Sequence, residues 1–199
     1  MNTFRILFLI TWCITFNNYA QKQPNIILMM ADDLGWGDTG YNGNDVILTP
    51  HLDQMAKEGI QFDRFYSASA VCSPTRASFL TGRNPYRTGV FSANRGILRP
   101  EETTISELLQ KEGYVTGHFG KWHLGNDARY QPDRQGYEVS QVINGPHLPG
   151  RYRVQGRSAI QPEADQYRTD FEAQLSIDFI KKSQRESKPF FLMLSPYAV

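Results

Sequence analysis

The stretch Asn25-Ile-Ile-Leu-Met-Met-Ala-Asp-Asp-Leu-Gly-Trp-Gly-Asp38 decides how the rest of the chain is read. Its first seven residues form a short unbroken apolar run, the pattern of a strand buried on both faces of a parallel sheet. The run ends in Asp32-Asp33 and then breaks into glycines. Outward from it, residues 50–58 predict a helix, with Thr49 as N-cap, Pro50 at the first position and Gly59 as the stop. Residues 60–66 predict a second strand, and Ser73-Pro74 open a helix that runs towards Leu80 and stops at Gly82. Residues 104–112 predict an amphipathic helix with Ile105, Leu108 and Leu109 on one side, feeding a strand over 114–119. Residues 126–161, rich in Gly, Pro, Arg and Tyr without a sustained period, read as long loops. The longest helical pattern covers 165–182, and Lys188-Pro189 leads into a last strand over 190–194. Strands alternating with helices predict an α/β fold, a mostly parallel sheet sandwiched by helices.

Composition narrows the possibilities. The 199 residues are 40% hydrophobic and 21% charged, which excludes disorder and collagen-like structure and allows a sizeable core. Lys and Arg number 21 against 20 Asp and Glu, so no bulk field points to nucleic acid or an anionic membrane as partner. Residues 1–20 read as a secretory signal peptide, with Arg5 in the positive region, an apolar stretch over 6–16 and Asn18-Tyr19-Ala20 before the cleavage site. That stretch is too short for a stable membrane anchor, and bulky Trp12 argues against a lipoprotein site at Cys13. The expectation is an exported protein, periplasmic or extracellular, with residues 21–199 as one unit. Cleavage would leave Cys72 as the single cysteine. A lone thiol in an oxidising compartment is buried, paired with another chain, or present for chemistry.

Ligands of open α/β sheets bind beyond the carboxyl ends of the strands. Asp32-Asp33, Cys72 and Lys121/His123 each follow a predicted strand, so the fold can bring them to one sheet edge. Two hard carboxylates where the chain turns through glycines suit Ca²⁺ or Mg²⁺, although the dipeptide alone equally suits two solvated acids at a strand end. Cys72 stands at a helix N-terminus, where free N–H groups and the dipole favour an anion, and Arg76 lies one turn along with a fork of donors. A tyrosine-phosphatase loop would need arginine at position 78, which is serine. In Gly120-Lys-Trp-His-Leu-Gly125, the i, i+2 spacing puts a cation and a general acid/base on one side of an extended segment, or equally a surface Lys beside a packed His. His51 and His118 read as structural. His147 with Arg151, Arg153 and Arg157 forms a basic loop that could meet a sulfated glycan or remain solvated. Arg83 reads as a brace for the Cys72 helix.

Taken together, Cys72-x-Pro-x-Arg76 followed by Ala77-Ser-Phe-Leu-Thr-Gly-Arg83, and Gly113-Tyr-x-Thr-Gly-x-x-Gly-Lys-Trp-His-Leu-Gly125, closely resemble the two signature stretches of the sulfatase family. Residues 24–38 resemble that family's opening strand and metal site. The resemblance implies an alkaline-phosphatase-like fold and a sulfuric ester hydrolase that releases sulfate from an aryl or carbohydrate ester. It implies that Cys72 is oxidised by a formylglycine-generating enzyme to formylglycine. The hydrate of that aldehyde attacks sulfur through one oxygen, and the other later expels sulfate. Asp32, Asp33 and the side chain at position 72 would hold Ca²⁺ (or Mg²⁺), Arg76 and Lys121 would position the nucleophile and neutralise charge, and His123 would act as base. The family also carries an Asp-Asn pair, a second His and a second Lys further along, so the expectation is an N-terminal portion of a catalytic domain, incomplete at its C-terminus. The same motifs leave open a phosphodiesterase or phosphonate monoester hydrolase of the same superfamily, and a truncated, non-catalytic fragment.

Overall fold

The computed structural model describes residues 23–197 apart from 94 and 157, so the signal-peptide reading of residues 1–20 and Arg157 of the basic loop lie outside the described residues. The chain forms β1 (Ile26–Met29), α1 (Pro50–Glu58), α2 (Cys72–Thr81), α3 (Pro85–Thr88), α4 (Ile105–Lys111), β2 (Val115–Gly120), β3 (Val139–Asn144), β4 (Arg153–Gln155), α5 (Arg168–Arg185) and β5 (Phe190–Ser195). The sheet order is β1-β5-β2-β3-β4. The first four strands in that order are parallel, and β4 pairs antiparallel with β3.

β5 explains the layering. Its successive side chains point to opposite faces. Phe191 and Met193 join Ala77, Leu80, Trp122 and Leu124 on the α2 side, while Phe190 and Leu192 join Phe171, Leu175 and Phe179 of α5 on the other. Helices therefore cover both faces, as expected of a largely parallel sheet. Among the described residues no helix is long and apolar enough to cross a membrane.

Three expectations need correction. Residues 60–66 form no strand; every one is exposed, so the apolar run has no layer to pack against. The region 126–161 is not all loop, because β3 and β4 lie within it. β1 is an edge strand with one bare face, Ile27 and Met29 being about half exposed, so burial on both faces belongs to β5 and β2 instead.

Candidate active site

The parallel strands β1, β2 and β5 all deliver their carboxyl ends to the same edge, and the predicted residues gather there. The hinge of the arrangement is Gly120, whose φ of 109° suits glycine alone. A Cβ at this position would collide with the Ser195 carbonyl oxygen, so the close pairing of β2 with β5 at its last register needs glycine here. The same carbonyl accepts the Lys121 N–H at 2.9 Å. The chain then turns through His123 at φ 60°, a left-handed conformation costly for a residue with a Cβ. This turn, and not the alternation of an extended segment, brings His123 over the start of α2. Buried Ser73 fixes it by donating its hydroxyl to the His123 carbonyl at 2.7 Å.

Cys72 is the first residue of α2 and half-buried; its Sγ lies 3.1 Å from His123 Nδ1. Arg76, one turn on and 3% exposed, donates to the Lys121 carbonyl at 2.7 Å and to Asp32 Oδ1 at 3.1 Å. Lys121 Nζ donates to the other oxygen of Asp32. One buried carboxylate thus holds two cations, an ion triad from three elements. Burial opposes ionisation of Asp32, but the hydrogen bonds and charges of Lys121 and Arg76 outweigh it and hold the carboxyl below its ordinary value. His123 is also pushed down, first by burial and then by the charges of Lys121 and Arg76, with Asp32 pulling the other way. It is therefore uncharged at neutral pH and able to accept a proton.

Two clefts meet at this cluster. One, of about 320 Å³, is lined by Asp32, Asp33, Ser69, Val71, Cys72 and Arg76. The other, of about 550 Å³, is lined by Lys121, His123, Asn144, Gly145, Arg168 and Tyr197, among others. Asp33, at φ 62°, is exposed on the first. Among the described residues no group of three or more His, Cys, Asp or Glu side chains is arranged to hold a metal ion. Asp32 and Asp33 supply hard oxygens at one cleft and fit part of a Ca²⁺ shell of six to eight ligands, in which Arg76 and Lys121 would share Asp32 with the ion.

Sequence reasoning missed the wall of the larger cleft. Tyr197 lies between two cations, with Lys121 Nζ 4.4 Å and Arg168 Cζ 5.0 Å from its ring centre. Arg168 is itself buried, paired with Glu172 at 2.8 Å and donating to the carbonyls of Ile143 and Gly145 at 2.6 Å each. The available signals were the strand-like run over 139–144 ending in Asn144-Gly145 and the i, i+4 spacing of Arg168 and Glu172. Arg83 braces α2 only at its end, through a partly exposed ion pair with Glu102. The His147 ring lies tilted against Tyr197, with 5.3 Å between ring centres, whereas Arg151 and Arg153 remain exposed.

A sequence model of the family described as Sulfatase matches residues 24–199. N-acetylgalactosamine-6-sulfatase of Canis lupus familiaris is 37% identical over 204 residues, which cover 87% of this chain and 39% of that protein. Arylsulfatase G of Homo sapiens is 46% identical over 134 residues, covering 65% and 25% respectively. A structure solved in complex with its substrate D-glucosamine-2-N,6-O-disulfate is 31% identical, with a TM-score of 0.72 over 88% of this chain and 34% of that one. The chain thus spans between a quarter and two fifths of the length of these curated relatives.

Proposed function

This chain belongs to the sulfatase family, and on that premise we propose that it serves a sulfuric ester hydrolase releasing inorganic sulfate from a carbohydrate or aryl sulfate ester. The observation that carries the reading is Cys72 at 3.1 Å from an uncharged His123, beside two cations locked to one carboxylate. The first turn of α2 adds its positive dipole end at Cys72. Arg76 and Lys121 meet the ester's tetrahedral oxyanion, and because Asp32 fixes both they reorganise little as charge develops. His123 takes up a proton as sulfate leaves. Oxidation of Cys72 to formylglycine, by a formylglycine-generating enzyme, would supply the attacking oxygen. Ca²⁺ held by Asp32, Asp33 and the side chain at position 72 would polarise the sulfate. Relatives named for a sulfated sugar and for aryl sulfates favour a sulfated glycan or an aryl ester as substrate. The signal-like pattern of residues 1–20 supports a reaction in the periplasm or outside the cell.

The test is a panel of aryl sulfate, N-acetylgalactosamine-6-sulfate and the matching phosphate esters, with and without a chelator. The proposal expects chelator-sensitive sulfate release. Turnover of the phosphate esters alone would assign the site to phosphoryl transfer, and no turnover in a maturation-competent host would leave the chain without this activity.

A further inference from the structure

Trp122, His123 and Leu124 carry the chain across the start of α2, and the outer two are anchored by burial. Both belong to the core on the α2 side of the sheet, Trp122 at 2% exposure and Leu124 at 0%. The Trp122 indole N–H donates to the Tyr130 carbonyl at 2.7 Å, and the Leu124 carbonyl accepts the Leu98 N–H at 3.0 Å. His123, between these anchors, has its ring on Cys72 and its φ at 60°, a conformation that a residue with a Cβ keeps only when its surroundings hold it there. Two side chains of α2 supply that hold. Arg76 donates to the Lys121 carbonyl at 2.7 Å, and Ser73, three residues earlier on the same helix face, donates to the His123 carbonyl at 2.7 Å. One face of α2 therefore grips alternate carbonyls of the segment 121–123. A serine in the first turn of a helix ordinarily turns its oxygen back to the backbone as a cap. Here the N-cap residue is Val71, which has no side-chain oxygen, and the fully buried Ser73 hydroxyl is directed to a different segment. Alanine has the higher helix propensity, so the stability of α2 gives no reason for this hydroxyl.

We propose that Ser73 is a positioning residue for His123: its hydroxyl holds the left-handed turn and thereby keeps the imidazole on position 72. Cys72 and Ser73 are neighbours, so ring and backbone of one histidine are met from adjacent positions, the ring nitrogen by Sγ at 3.1 Å and the carbonyl by the serine hydroxyl. Without the hydroxyl, the His123 peptide relaxes towards negative φ and the ring swings out of line with residue 72. Because Trp122 and Leu124 stay anchored, the relaxation is local and leaves Arg76 and Lys121 on Asp32. The role of His123 as a base rests on the function proposed above; the hydrogen bond and the turn that it holds do not.

Crystal structures of the wild-type chain and of two variants decide the turn directly. In Ser73→Ala, His123 should leave the left-handed conformation and its ring should move out of hydrogen-bond distance of residue 72; in Ser73→Thr, which keeps a hydroxyl, both should stay. An unmoved His123 in Ser73→Ala overturns the inference. For the catalytic consequence, kcat is counted per formylglycine determined by mass spectrometry, so that a change in maturation beside Cys72 is not read as a change in turnover. On that basis Ser73→Ala should lower kcat about ten- to a hundredfold with KM nearly unchanged, since Arg76 and Lys121 still meet the ester, and Ser73→Thr should recover most of the loss. Unfolding midpoints are measured alongside. Equal losses in the two variants, a loss confined to KM, or losses that follow only the unfolding midpoint make Ser73 merely structural. If the wild-type chain turns over no sulfate ester, the proposed function fails, while the crystal structures still decide the turn.

Discussion

The described chain contains two regions that partition polarity in opposite ways. Around α2 and the carboxyl ends of β1 and β2, the charged groups are inside: Arg76 is 3% exposed and Asp32 5%. In the segment between α1 and α2 the apolar groups are outside, with Ile60, Phe62 and Phe65 each more than 70% exposed. Lone exposed apolar residues are ordinary, whereas buried charges persist only when paired. The contrast shows that order at the site comes from the sheet and the Asp32 triad, and that the residues leading into Cys72 contribute little to it. Cys72 stands at the boundary, half-buried, with its sulfur against His123 and its backbone opening the ordered helix.

Changes on either side of that boundary should differ in kind and size. The largest effect falls on chemistry: Cys72→Ala should remove sulfate release by about three or more orders of magnitude while leaving the unfolding midpoint nearly unchanged, because the side chain packs on little. Assay and thermal unfolding of one preparation check both halves. Next comes Asp32→Ala, which leaves Arg76 buried without its carboxylate. Denaturant unfolding should show a loss of about 3–5 kcal/mol, as for other buried pairs broken on one side.

A pH effect follows from His118. Its folded value of about 3 lies below the ordinary 6.5, so on acidification the unfolded chain takes up this proton first. The stability linked to it is complete above pH 6.5 and declines between 6.5 and 3, by up to about 1.4 kcal/mol per pH unit. His118→Leu should flatten that decline in unfolding curves measured across the window, and an unchanged slope would place its origin elsewhere. Smallest of all, Phe65→Ser should change stability by no more than about 0.5 kcal/mol, since its ring is 81% exposed. A loss of several kcal/mol there would erase the contrast between the two regions.

The same contrast explains what could be read in advance. The helix over 50–58 matched to the residue because its start and stop signals, Pro50 and Gly59, are local. The strand that became β5 was legible because an unbroken apolar run following Lys188-Pro189 has few alternatives. Residues 60–66 satisfied a strand pattern equally well, but a strand needs a neighbour, and pairing is not written in a single segment. β3 failed in the other direction: its sequence, Val139-Ser-Gln-Val-Ile-Asn144, is a modest strand signal inside a Gly- and Pro-rich tract, and it pairs with β2 some 20 residues away. At the site, Arg76, Lys121 and His123 were legible because their motifs are contiguous. The triad on Asp32, the left-handed turn at His123 and the Tyr197–Arg168 wall were not, since each depends on strands brought together by the sheet.

The central claim is that Cys72 is the precursor of the nucleophile. Mass spectrometry of the tryptic peptide spanning residues 65–76, taken from a preparation that releases sulfate, tests it most directly. The account predicts formylglycine at position 72 in the active fraction. Unmodified cysteine throughout a fully active preparation would contradict it.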